Sequence, residues 1–448
     1  EALALPGGHD AILAVHDNAT GLHYLRYANE IRERGLRLDL HAYQYHVLQN
    51  WREMIPTPDY PWDALCADLN GTGVWSLDDA LAKFKLRPVH HALRAALHAD
   101  TLRCFSDLIE AEAVDTAVRL PSAHQAPCSR EETFATLEKN AERFFKAALE
   151  SLNIDAVSLT GSSDPAAPAP PATPNGHGSP DRAAPSPLEP ETRAAEQKTV
   201  TELARTAREH YHRLLTAAEK LPALEHAFAH SWSSDARLVL PSYSPQTTAV
   251  NVLAPVVAWC LIRSLVDVLP QSQNRGELFD RLYLRFAIAD AFQPLGLDAD
   301  HAYRAAARIR ILIAAPSRPL PSAIQPLLSW DDPDTVWLTG LHTAQGHRYF
   351  NKEAHEQLLW WSALPQLIAA SEKDPSVKTS ATRITLHALE GQIQEATTAA
   401  AQSGYRLDNL LRPDSVSAEH APANAVDRSR EADTTTEPAP STTVNRRD

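Results

Sequence analysis

Apolar residues recur at helical spacing over most of this chain. In residues 131–152, Phe134, Leu137, Ala141, Phe144, Phe145, Ala148 and Leu152 form one stripe, the mark of an amphipathic helix. A second stripe runs through Val200, Leu203, Ala207, Tyr211, Leu214 and Ala218. Ser76-Leu-Asp-Asp79 opens a helix over residues 76–85 like a capping box, and a further helix over 89–99 buries Val89, Leu93 and Leu97. Helices are also predicted over 276–291, over 299–315 behind Asp298 or Asp300, over 352–370 behind Asn351 with a bend at Pro365, and over 382–403 before Gly404. Residues 249–269 are the one long apolar run. Arg263 and Asp267 lie four apart on it, where they can pair, so the run predicts a buried helix and no membrane anchor.

The pattern differs near the start. Leu36, Leu38 and Leu40 alternate with Arg37, Asp39 and His41, the two-residue period of a half-buried strand. The phase slips at Ala42, and Tyr43, Tyr45 and Val47 resume it, as at a bulge or tight corner between two strands. A short helix within 21–34 would end at Gly35. Residues 161–197 are rich in Pro, Ala, Ser and Gly and poor in large apolar side chains, the composition of a flexible linker. The expected fold class is therefore mainly α. A short N-terminal β remnant spans 1–55, a small helical region 56–160, the linker 161–197, a helical domain 198–413 and a disordered tail 414–448.

Charge and composition narrow the chemistry. With 448 residues and a net charge of −14, the chain offers no basic stripe for nucleic acid. Cys66, Cys104, Cys128 and Cys260 are scattered, with no Cys-x-x-Cys, which predicts four reduced thiols in a cytoplasmic protein. No phosphate loop, nucleophile elbow or metal-ligand spacing occurs. His90-His91, His210 with His212, and His41 with His46 diverge on their elements. The chain opens on Glu1 and its one methionine is Met54, which predicts a piece of a longer, bacterial polypeptide.

Three stretches resemble the alpha-amylase clan of glycoside hydrolases. Residues 24–51, "YLRYANEIRERGLRLDLHAYQYHVLQNW", are similar to the closing strands of the β-sandwich behind the catalytic barrel in large bacterial members. They lead into Trp51-Arg52-Glu53. Residues 71–89, "GTGVWSLDDALAKFKLRPV", and 330–361, with "YFNKEAHEQLLWW", resemble the helical C-terminal extension of such proteins. Gly35-Leu-Arg-Leu-Asp also looks like the clan's catalytic strand. On that match Asp39 would be the glycosyl-accepting nucleophile and Arg37 the guanidinium that keeps it ionised. The competing reading places both on the solvent face of a strand, because no His-Asp pair follows and the later chain lacks a barrel's alternating strands.

The resemblance implies an accessory portion with no catalytic, cofactor-binding or metal residues of its own. Its partners would be a missing N-terminal catalytic domain of the same chain and an α-glucan, with no nucleic acid and no membrane. Trp330, Trp337, Tyr349, Trp360 and Trp361 are close in sequence and could stack on sugar, though rings at helical spacing more often fill a core. The alternative function is a helical protein-interaction module unrelated to carbohydrate.

Overall fold

The computed structural model describes residues 5–7, 11–38, 40–113, 128–152, 190–222, 224, 249–270, 274–315, 328–374 and 379–411. They are mainly α, with short antiparallel strands near the start. Strands β1 (Ile12–Asp17), β2 (His23–Tyr27) and β3 (Leu48–Met54) form one sheet in the order β2-β1-β3. The central strand is a continuous apolar run, so it feeds two small cores. Ile12, Ala14 and Leu25 meet helix α2 (Trp62–Leu69) and α3 (Leu77–Lys85) through Trp62, Leu65, Leu77 and Leu81. Ala11 and Leu13 meet Ala28 and Ile31 of α1 (Ala28–Arg34) on the opposite face, with Trp51 alongside.

A buried carboxylate ties the sheet to its loops. Asp17, with no exposed surface, accepts hydrogen bonds from the Ala19 and Val47 N–H groups at 3.0 Å each and from the Thr20 hydroxyl at 2.7 Å. His46 Nδ1 lies 2.6 Å from its second oxygen. Burial pushes the carboxyl up, but these bonds, His46 first, outweigh it and hold the group well below the usual carboxylate range.

Most of the remaining helices build one large core, and Phe350, Ala400 and Leu407 a small one beside it. Helices α4 (Arg87–Ala96), α5 (Ala99–Ala113) and α6 (Arg130–Ser151) precede residue 152. After it come α7 (Pro190–Glu219), α8 (Ala249–Asp267), α9 (Arg275–Arg281), α10 (Leu284–Phe292) and α11 (Ala299–Ala314). Then follow α12 (Pro333–Leu338), a hairpin of β4 (His342–Ala344) and β5 (His347–Tyr349), α13 (Lys352–Ser362), α14 (Leu364–Lys373), α15 (Ser380–Gln402) and α16 (Leu407–Leu410). Helix α8 is apolar all round and lies at the centre, with every residue from Val256 to Ile262 buried. Arg263 pairs with Asp267 at 2.8 Å, as their spacing predicts.

The α6 stripe packs on α7, so residues before and after 153–189 share one interior. Phe145 meets Tyr211 edge-on at 6.3 Å, and Arg130 grips Glu219 with two 2.7 Å bonds. Each fully buried Phe there contributes about 1.5–3 kcal/mol by leaving water. A polar knot closes the far side: Arg310 reaches Asp280, Asp332 and Asp334, and Arg285 also binds Asp334.

The N-caps fall where the sequence places them, at Ser76, Asp298 and Asn351. Other expectations change. Residues 36–38 and 43–47 are not strand. Leu38, Leu40, Tyr43, Tyr45 and Val47 face solvent, Tyr43 fully, while β1 pairs instead with 23–27 and 48–54. The helix expected within 21–34 occupies only its second half, though Gly35 ends it at φ 73° with its N–H on the Ile31 carbonyl. The helix over 276–291 breaks at Tyr283, which adopts a left-handed conformation at φ 49°. At Pro365 the chain does not bend but stops at Ala363 and restarts, with the proline in the first turn of α14, where its missing N–H costs nothing.

Helix α7 begins at Pro190, inside the residues whose composition reads as linker; the rest of that stretch, 161–189, and the tail 414–448 lie outside the described residues. Four reduced thiols are also not found: Cys104 on α5 and Cys128 before α6 form a disulfide. That pairing depends on two helices meeting in space, which spacing along the chain does not encode. Cys66 and Cys260 stay free and buried, and burial pushes the Cys66 thiol up to about 11. No described helix is long and apolar enough to cross a membrane.

Candidate functional site

A groove of about 710 Å³ runs along α3 and α4. Its entrance is built by a short, glycine-dependent turn. Asn70 at φ 43° and Gly71 at φ 83° end α2. Gly73 then passes so close to Tyr24 that a Cβ would lie 2.7 Å from the ring, which would have to shift to admit one. Val74 bridges to His23 of β2 through two backbone bonds of 2.7 and 2.8 Å. The next side chain, Trp75, is thereby thrown clear of the core, and 76% of its surface is exposed. One edge of the indole rests over Gly21, whose missing Cβ would lie 3.1 Å from it. Ser76 follows at once and caps α3 by accepting the Asp79 N–H at 3.2 Å.

Basic groups line the groove at helical spacing: Lys83, Arg87, His91 and Arg94. Arg87 is paired with Asp68 and Arg94 with Asp290. Lys83 Nζ stands 5.5 Å over the Phe286 ring and 5.8 Å over Tyr283, a cation–π placement that attracts the ammonium without neutralising it. The Tyr283 hydroxyl donates to Asp79 at 2.9 Å, and that bond to an anion, with some burial, pushes the phenol's pKa up. His90 Nε2 lies 2.8 Å from the Leu282 carbonyl and so donates to it, fastening α4 to the α9–α10 junction. Burial lowers the pKa of His90, which keeps its ring neutral.

The ring-rich segment 330–361 gathers no comparable face. Trp361 is buried and donates Nε1–H to the Arg308 carbonyl at 2.8 Å, and Trp360 packs half-buried on the main core. Trp330 stacks on His355 at 5.9 Å, with Phe350 beside both. Tyr349 is half-buried, and only Trp337 reaches solvent substantially, under Arg304 at 5.1 Å. His355 is itself buried, its Nδ1 without a hydrogen-bond partner, and burial pushes its pKa down to about 4.

Arg37 lies exposed in the loop after α1, and Asp39 lies outside the described residues. Of the paired histidines, both line the groove, but they diverge as helical neighbours must, His90 buried and His91 exposed. No group of His, Cys, Asp and Glu among the described residues could hold a metal ion. Trp75 escapes a search for periodic rings, because it belongs to no helix face. Its signal is local: an isolated tryptophan between a Gly-x-Gly-Val turn and a helix cap. No protein-family model, curated protein or solved structure matches this chain.

Proposed function

We propose that the chain is the non-catalytic accessory portion of an amylase-like bacterial glycoside hydrolase or transglycosylase acting on α-glucans in the cytoplasm. It would work by packing beside a catalytic domain carried upstream in the same polypeptide. One observation supports this reading above the rest. Two of the stretches that resemble the clan fold against each other: Gly71 abuts the Arg26 guanidinium and Gly73 the Tyr24 ring. The second stretch then supplies most of the groove.

The purified chain is expected to leave starch and maltooligosaccharides uncleaved. Cleavage that disappears on Asp39→Asn would refute the accessory role. A second reading, a helical protein-interaction module unrelated to carbohydrate, draws support from Leu40, Tyr43 and Tyr45, which are all more than half exposed in one loop. Retention of the chain on immobilised amylose favours the first reading over the second.

A further inference from the structure

The groove carries more information than an accessory role uses. Lys83, Arg87 and Arg94 share its lining with the carboxylates of Asp68 and Asp79. Arg87 and Arg94 are paired with Asp68 and Asp290, and the lining Asp79 accepts the Tyr283 hydroxyl while keeping its charge. Lys83 and His91 are different: no carboxylate among the described residues reaches either one. Aromatic faces beneath the Lys83 ammonium orient it without supplying an acceptor for its N–H donors. At the groove's entrance an indole lies against Gly21, with most of its surface open to solvent. An exposed ring of that size, held by a turn packed closely on Tyr24 at Gly73, is suited to stacking on a second ring.

We propose that this groove binds a phosphate-bearing ligand whose ring stacks on Trp75 while its phosphate is held by Lys83 and His91. A phosphate offers close to two negative charges and three acceptor oxygens, which matches two uncommitted donors flanked by the outer edges of Arg87 and Arg94. The ring can belong to a sugar phosphate or to a nucleotide, since both present a face to the indole. The assignment stands whether or not the chain serves a glycoside hydrolase.

Isothermal titration of the full chain with glucose 1-phosphate, ADP, inorganic phosphate and maltose tests it. Glucose 1-phosphate or ADP is expected to bind, the tighter one identifying the ring, with inorganic phosphate competing more weakly. Lys83→Gln and Trp75→Ala should each weaken that binding by about tenfold or more, the loss of one charge-assisted contact or one stacked ring. Both side chains are exposed, so unchanged melting curves will show that the fold survives. The proposal is overturned if neither phosphate ligand binds at millimolar concentration. It is equally overturned if neither substitution weakens binding, or if maltose binds as tightly as glucose 1-phosphate, which would make the groove a platform for neutral sugar.

Discussion

Trp361 and Trp75 share a residue type and little else: 2% of the first is exposed and 76% of the second. Trp361 lies on the inner face of α13, where periodicity decides its fate and the indole N–H finds the Arg308 carbonyl. Trp75 sits between a glycine turn and a helix cap, where no periodicity acts and the backbone path alone aims the ring. An aromatic residue thus reports on function through the element that carries it, more than through its chemistry. The same contrast separates His355, sealed among rings, from His91, which faces the groove.

The most direct way to break this comparison is to truncate both tryptophans. Trp361→Ala should lower stability by about 3–5 kcal/mol, because it empties core volume and removes the indole bond to the Arg308 carbonyl. Chemical denaturation with an unchanged m-value would confirm it, and a loss below about 1 kcal/mol would show that the ring is not a core element. His355 sharpens the picture through pH. Its folded pKa of about 4 lies below the ordinary 6.5, so below 6.5 the unfolded chain takes up the proton first. Stability should therefore fall between pH 6.5 and 4, by at most about 3 kcal/mol, and His355→Leu should flatten that slope.

Asp17 acts in a different window. Its carboxyl is held well below the ordinary 3.8, so its contribution is complete above that value and is lost only as pH falls beneath it. At neutral pH, Asp17→Asn should cost about 1–3 kcal/mol and loosen the loop behind it, seen as faster amide exchange at Val47. Unchanged exchange there would mean that the loop is anchored by something else. The smallest effect belongs to Trp75→Ala, which should move stability by no more than about 0.5 kcal/mol. A larger loss would make that indole a structural cap on the Gly21 turn.

Much of the helical framework could be read from the chain because its signals are local. The Ser76, Asp298 and Asn351 caps, the seven-residue stripe of α6 and the Arg263–Asp267 pair each need only neighbours within a turn or two. The sheet could not be read in this way. Residues 36–47 have the better strand pattern, yet β1 is satisfied by β2 and β3, and Asp17 captures the Val47 N–H that a ladder would need. Helix interruptions at Tyr283 and Ala363 answer to packing, where α10 and α14 must turn to reach the core. The groove joins residues 65–94 to Phe286, and the disulfide joins α5 to the start of α6. Both are products of tertiary approach, and neither leaves a trace in spacing.

The shared interior of α6 and α7 makes this a molecule that can be divided and rebuilt. The large helical core is finished in neither half: Phe144 and Phe145 belong to one and Tyr211 and Leu215 to the other. Expressed separately, fragments 1–152 and 190–448 should each display an apolar face that only its counterpart can cover. Mixed together, they should reconstitute the fold without a peptide bond between them. The Arg130–Glu219, Arg208–Glu142 and His212–Glu138 pairs would then set their alignment. The stretch between residues 152 and 190 thereby becomes a natural place to split the protein into a two-part reporter, in which reassembly can be read as a signal.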